Sequence, residues 1–478
     1  MIVNTQIQIC EQSDDSTRLP TTGIVMHRIK ALLGHKVMKL LRGSAILLSG
    51  RLAGALCAYV LQVVLARSIG GAELGNYVRA FSWCVVLANL SLLGLDSAAI
   101  RFVGMGMATG DQGRIGGFIR RSRQIVLVVS LLIVSLAASL VVLLGDHVSD
   151  SRPLLIAILC VPLLALIRLN VRITQAFSWF TLSVLPNTVL RPGLLLAAVL
   201  AGWKFQLISS ATGIMLLQLC VMLLIAFGQN AVLSFRITDQ IGQSLPVYES
   251  RRWLRTALPL LLTSTFTLFY AELNIIVLGA VLPAEELAVF SVAYRTALLI
   301  LFALVAVDGV TMPAASRLHT EKNSPELRRE IARATRLKFW LSLTAMLGLA
   351  VLGKPVLSIF GPEFTSGYRV LIILAAAQVA RAAIGPAGEL LSVTGHQDRC
   401  VVISAASLIV TVVFHLAFAS SWGIEGAAIT ILLVTVVSNL WLRRRVMEHL
   451  DLDPSILGLR RAANEKPYVQ ALQTVKLS

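Results

Sequence analysis

Five arginines, Arg51, Arg168, Arg191, Arg295 and Arg381, stand in stretches built almost wholly of Leu, Val, Ile and Ala. A guanidinium keeps its charge where a lysine would shed its proton, and its fork of donors matches phosphate oxygens. In hydrocarbon each such charge costs about 2.5–3.5 kcal/mol on insertion scales, so each must face protein or water. Counting about 1.5 Å per helical residue from the basic end of each stretch puts Arg51, Arg168, Arg191 and Arg381 roughly 10–18 Å deep. Arg295 and Glu272 come out at about 24 Å, a candidate pair on neighbouring helices. Asp96, Asp308 and Glu389 fall near the ends of their stretches. With Glu272 they are the candidates for coupling to a cation or for gating, against a plain helix-end role. One deep carboxylate against five guanidiniums leaves a cationic interior, which calls for an anionic ligand. Each arginine also has a structural alternative: Arg51 and Arg168 can snorkel to headgroups, Arg295 can pair with Glu272, and Arg381 with Glu389. Arg191 precedes Pro192 and has no carboxylate on its own stretch, so ligand contact suits it best.

The elements that position these groups follow from composition. The 478 residues are 56% hydrophobic and 14% charged, where a soluble domain carries about a quarter charged residues. Twelve apolar blocks run from 43–66 to 424–442, each about the 20 residues needed to cross a bilayer core. Lipid offers the backbone no partners, so the blocks must be helices, and an all-α membrane protein is expected. Soluble classes are excluded. Of the 42 Lys and Arg, 31 fall in alternate loops and the two tails. That asymmetry places both termini in the cytoplasm and accounts for the net charge of +17 without nucleic acid. The six cysteines are scattered and read as packing residues rather than a metal or disulfide framework.

The chain divides as 1–24, a disordered cytoplasmic tail; 25–42, an amphipathic basic surface helix; 43–228, a six-helix bundle; 229–255, a cytoplasmic linker; 256–444, a second bundle; and 445–478, a cytoplasmic tail. The two bundles look duplicated. Glu73, Leu74, Tyr77, Ala80 and Phe81 align without gaps on Glu286, Leu287, Phe290, Ala293 and Tyr294, and the same offset carries Arg120 and Arg123 onto Arg333 and Arg336. Paired repeats suit a transporter whose halves rock about a central site. No loop is long enough to hold a folded catalytic domain, so an enzyme is not expected, and no nucleotide-binding glycine loop is present.

The order "FSVAYRTALLI", "ELRREIARATRL", "VLSIFGPEFTSGYRVLIIL", "LLSVTGHQDRCVV" and "WGIEGAAITILL", with "LQVVLARSIGGAELGNY" in the first half, resembles the polysaccharide-biosynthesis (O-antigen type) flippases. These belong to the multidrug/oligosaccharidyl-lipid/polysaccharide exporter superfamily. The resemblance covers residues 40–450 and implies two six-helix bundles in a V around a cavity. It implies transport of an undecaprenyl-pyrophosphate-linked oligosaccharide from the inner to the outer leaflet of a bacterial inner membrane, for lipopolysaccharide, capsule or exopolysaccharide. It also weights Arg51 and Arg295, on the spans where such proteins often carry arginines. Asn170, Gln175, Asn187 and Gln378 would meet sugar hydroxyls. No resident cofactor is expected; a proton or sodium ion would couple transport, and a polymerase and glycosyltransferases of the pathway would be partners. The alternative is a cation-coupled multidrug exporter of the same superfamily, and after it a membrane-bound polymerase or ligase.

Overall fold

The computed structural model describes residues 22–143, 151–205, 209–242, 245–321, 324–456 and 458, with side chains from Ser49 onward except at 241, 262–271, 324 and 397. Among the described residues every regular element is helical. Nine helical stretches of the described residues are long and apolar enough to cross a membrane, and each apolar block of the sequence maps onto one of these or onto Ser250–Val281. The protein is therefore a multi-pass membrane protein.

Two of the nine stretches, Ser49–Ser91 and Asp398–Leu450, hold 43 and 53 residues, about twice what one crossing needs. Each is broken at one glycine. Gly70 has φ 76° and ψ 175°, and Gly423 has φ 56° and ψ −140°, values that a side chain disfavours. A hairpin thus turns on one residue inside α1 (Thr22–Ser91) and another inside the last helix (Gln397–Leu450). The backbone of 25–42 is already part of α1, continuous with the first apolar block. Its side chains lie outside the described residues, as do 1–21 and 459–478 of the two tails.

The repeat is visible in side chains. Tyr77 stacks on Phe81 with centroids 6.0 Å apart and planes 6° apart, and Phe290 stacks on Tyr294 at 5.9 Å and 8°. Glu73 accepts the Ala211 amide, and Glu286 lies against Gly423, so one carboxylate meets the corresponding helix start in each half.

Alternate turns gather at two ends. At one end Val247 N–H bonds Gly113 O at 3.0 Å, and Arg328 reaches the Asp451 carbonyl at 2.6 Å. This is the basic end, with Arg114, Arg120, Arg121, Arg251, Arg252 and Arg329. At the opposite end Arg67 and Gly75 meet the second half. The halves touch along a diagonal. Near the basic end Gly94 lies against the Ala257 carbonyl, and Phe118 meets Trp253 edge-on at 5.2 Å. Near the opposite end Tyr59 meets Phe360 edge-on at 5.3 Å. Between these, one face of the basic-end part of the first span is bare: Arg51, Leu52, Ala53 and Leu56 are all exposed. Leu299, Phe302 and Val305 of the second half are exposed as well.

After Leu450 the chain folds back under the second half. Leu452, Pro454 and Ser455 are buried. The Pro454 carbonyl accepts from Thr335 Oγ1 at 2.9 Å, the Ile456 amide donates to Ala383 O at 2.9 Å, and Arg443 grips Asp453 with bonds of 2.9 and 2.7 Å. Three helices are tied together there.

Candidate functional site

The site begins with prolines. Pro192 has no N–H, so the Thr188 carbonyl loses its ordinary helical partner. The turn before it, Leu185–Leu190, is a π-helix in which the Arg191 amide bonds back to Pro186 O. Single-turn π insertions in α-helices are frequent at functional sites. The first span closes on this turn through glycines. A Cβ at Gly54 would collide with the Thr188 carbonyl, and one at Gly50 with Val184. That approach carries Ala58, Leu61 and Gln62 across the start of α7 (Arg191–Lys204).

From the second half comes Arg295, on α10 (Ala284–Ala297). Its last turns are anchored to the first span by Tyr59 Oη and Thr296 Oγ1, 3.3 Å apart. The result is a partly open cavity of about 60 Å³, lined by Gln62, Tyr77, Phe81, Arg191, Gln218 and Arg295 among apolar neighbours. Arg191 lies over the Phe81 ring, Cζ 5.2 Å from its centre, a cation–π contact that holds the guanidinium and leaves its charge intact. Tyr77 Oη donates to Gln218 Oε1 at 3.4 Å. The Nε2 groups of Gln62 and Gln218 are buried without a partner. A buried donor without an acceptor is costly, so these two amides mark the polar part of the lining. Neither Arg191 nor Arg295 has a described carboxylate within 4 Å, unlike the paired Arg172 and Arg381. The cavity offers donors and positive charge.

The remaining candidates separate. Arg168 lies within electrostatic reach of Arg191, Glu272 and Asp96, and its Nη1 is buried without a partner. Glu272 accepts from Ser82 Oγ at 2.8 Å. The pairing of Arg295 with Glu272 expected from depth is not formed, because Glu272 turns to the second span of the first half. Asp96 is buried beside Arg172 at 3.7 Å. Arg381 meets Glu389 at 3.4 Å in a second cluster, which also holds the ion pair of Asp308 with buried Lys338. That cluster lies within the second half, so Arg381 does not share the cavity. Arg51 is exposed on the bare part of the first span. Among the described residues no group of three His, Cys, Asp or Glu is placed to hold a metal ion.

Polar groups divide likewise. Asn170 is occupied by Arg123 Nε at 3.0 Å and Asn230 at 3.1 Å, and Gln175 accepts from Arg172 at 3.1 Å. Asn187 sits at the π turn with Oδ1 buried and unpartnered, and Gln378 is buried in the second half. Gln62 and Gln218 line the cavity although the carboxamides expected to meet sugar were Asn170, Gln175, Asn187 and Gln378. Arg79 is half-buried against Gly279 of the other half, its Nε unpartnered.

Comparison with known proteins agrees with this architecture. The profile of a family described as "Polysaccharide biosynthesis protein" matches residues 40–319, and one described as "MatE" matches 259–416. A probable low-salt glycan biosynthesis flippase, Agl15 of Haloferax volcanii, is 29% identical over 177 residues, 36% of each chain. The chain thus matches little more than a third of that relative's length. A multidrug resistance MATE family transporter of the MOP superfamily in an inward-facing conformation superposes with TM-score 0.68 at 16% identity, over 84% of this chain and 99% of that one. The lipid II flippase MurJ, inward closed, gives 0.66 at 15% identity, over 85% and 87%. At these identities the likeness establishes the fold.

Proposed function

Because the chain belongs to the polysaccharide biosynthesis protein family, we propose that it is a flippase for a lipid-linked oligosaccharide. The cargo is an undecaprenyl-pyrophosphate-linked sugar moved from the inner to the outer leaflet of a bacterial inner membrane, toward lipopolysaccharide, capsule or exopolysaccharide. One observation carries this reading: Arg191 and Arg295, from opposite halves, line one cavity, and neither is ion-paired with a described carboxylate, Glu272 acting on Arg191 only from beyond 4 Å. Pyrophosphate oxygens accept from guanidinium forks, and the free Gln62 and Gln218 amides add neutral donors.

The excess of Lys and Arg makes the basic end cytoplasmic. The bare stretch between the first span and α10–α11 (Leu299–Thr320) opens on that side and lets the polyprenyl tail stay in lipid while the headgroup enters. A sugar crossing hydrocarbon unaided would lose its water partners at every hydroxyl, and a hydrated cavity removes that barrier. Binding across both halves makes occupancy and closure one event. A proton or sodium ion couples the cycle, with Asp308, Glu389, Glu272 and Asp96 as the carboxylates available to it.

The test is charge reversal, Arg191→Glu with Arg295→Glu, in a strain lacking the gene, with surface polysaccharide as readout. Loss of polymer from well-expressed protein is expected, and unchanged polymer removes the site. The fold neighbours include a multidrug transporter, so drug sensitivity is measured in parallel. Rescue of drug resistance with no effect on polysaccharide would replace this reading with the exporter.

A further inference from the structure

We infer that Arg67 is the latch of the gate that closes the cavity at the end opposite the basic end. The inference rests on the flippase reading above, with the halves rocking so that the cavity opens to one side at a time. Arg67 stands at the end of the first span, three residues before the Gly70 break. Its Nε donates to Ile359 O at 2.7 Å and its Nη2 to Ser358 O at 3.1 Å. Those carbonyls belong to the last residue of α12 (Ser324–Ser358) and the residue after it, in the other half. The final carbonyls of a helix lack intrahelical partners and carry its negative end, so they suit a cation.

The contacts around Arg67 are of another kind. Gly75 packs against the Ala284 carbonyl with no room for a Cβ, and Tyr59 meets Phe360 edge-on at 5.3 Å. Together they seal the halves between the cavity and that end, while the same span is bare toward the other. The seal must part when the cavity opens outward. Apolar and backbone packing fixes where the halves meet. The exposed Arg67 fork is the contact that water can replace on opening, and it biases the closed state as long as it holds.

The experiment uses the full chain in right-side-out vesicles. Its six native cysteines are replaced and Ala58→Cys is placed in the cavity lining. A membrane-impermeant thiol reagent is added outside. Arg67→Ala is expected to raise the labelling rate several-fold, with Arg67→Lys between it and the parent. A parental rate in well-folded Arg67→Ala overturns the latch. Should Arg67→Ala fold poorly, Arg67→Cys with Ser358→Cys is cross-linked by oxidation. Polysaccharide restoration is expected to stop and to return on reduction; undiminished export from the cross-linked protein overturns the latch. Labelling needs no substrate. An unchanged rate alongside lost polymer in the Arg191 and Arg295 variants therefore sinks the latch alone. A raised rate alongside normal polymer in those variants sinks the substrate reading alone.

Discussion

Arg191 and Arg295 stand on opposite halves of the molecule and line the same cavity, with the Arg191 guanidinium 5.2 Å above the Phe81 ring. An aromatic face holds the cation without cancelling it. Both charges remain for a ligand, and a ligand that takes both must draw the halves together.

Gly54 is the point where the first span meets the Thr188 carbonyl that Pro192 leaves without its ordinary partner. Gly54→Leu should cost about 1–3 kcal/mol by overpacking and push Arg191 out of register. Thermal unfolding of the purified protein and polysaccharide restoration should both fall. Gly104, where a Cβ meets nothing within 4 Å, is the control. Gly104→Ala should leave both intact, and equal losses at the two glycines would contradict the packing argument.

Asp308 and Lys338 form an ion pair in the second half, Lys338 almost fully buried. Removing one partner of a buried pair costs about 3–5 kcal/mol, whereas replacing both by neutral groups costs far less. Lys338→Met should therefore lower the unfolding temperature sharply, and Asp308→Asn with Lys338→Met should recover most of the loss. A double variant as unstable as the single would show that the pair is not the cause.

Arg381 and Glu389 are each more than a third exposed, so their pairing is worth about 0–1 kcal/mol. Arg381→Gln should change stability by about that much and leave export near the parental level, while Arg191→Gln lowers it sharply. Equal loss of export in the two variants would bring Arg381 into the site.

The fold-back after Leu450 is sensitive to acid. Burial alone would raise the Asp453 carboxyl, but the Arg443 fork and Ser455 outweigh it and hold it below the usual carboxylate value. A depressed folded value means that the stabilisation is present above the unfolded value of about 3.9 and fades as pH falls through the lower, folded one. Hydrogen exchange of residues 452–456 should be slow and flat from neutral pH down to about 4, then speed up once rates are corrected for pH. Asp453→Asn should exchange fast throughout. Identical profiles for the two proteins would contradict the clamp.

The membrane fold was legible because hydrocarbon leaves the backbone no alternative to helix, and the duplication because Tyr77–Phe81 and Phe290–Tyr294 occupy matching positions. Arg191 stood out through Pro192 and the lack of a carboxylate nearby. Depth along a helix says nothing of azimuth, which is why Arg295 and Glu272 lie at similar depth without pairing and why Arg381 lies apart. Azimuth also separates Gln62 and Gln218, which line the cavity, from Asn170 and Gln175, which bond within the first half. The π turn that aims Arg191 depends on the approach of Gly54, a tertiary contact that a local reading of 185–191 does not contain.

The most direct measurement is calorimetric binding of a polyprenyl-pyrophosphate-linked oligosaccharide to the purified protein in nanodiscs, compared with Arg191→Gln, Arg295→Gln and the double variant. A hydrogen bond to a charged group contributes about 1.5–3 kcal/mol, so each single change should weaken binding about 10- to 100-fold. The double change should abolish it, with lipid bearing no pyrophosphate failing to bind any of the proteins. Undiminished affinity in the double variant would contradict the central claim.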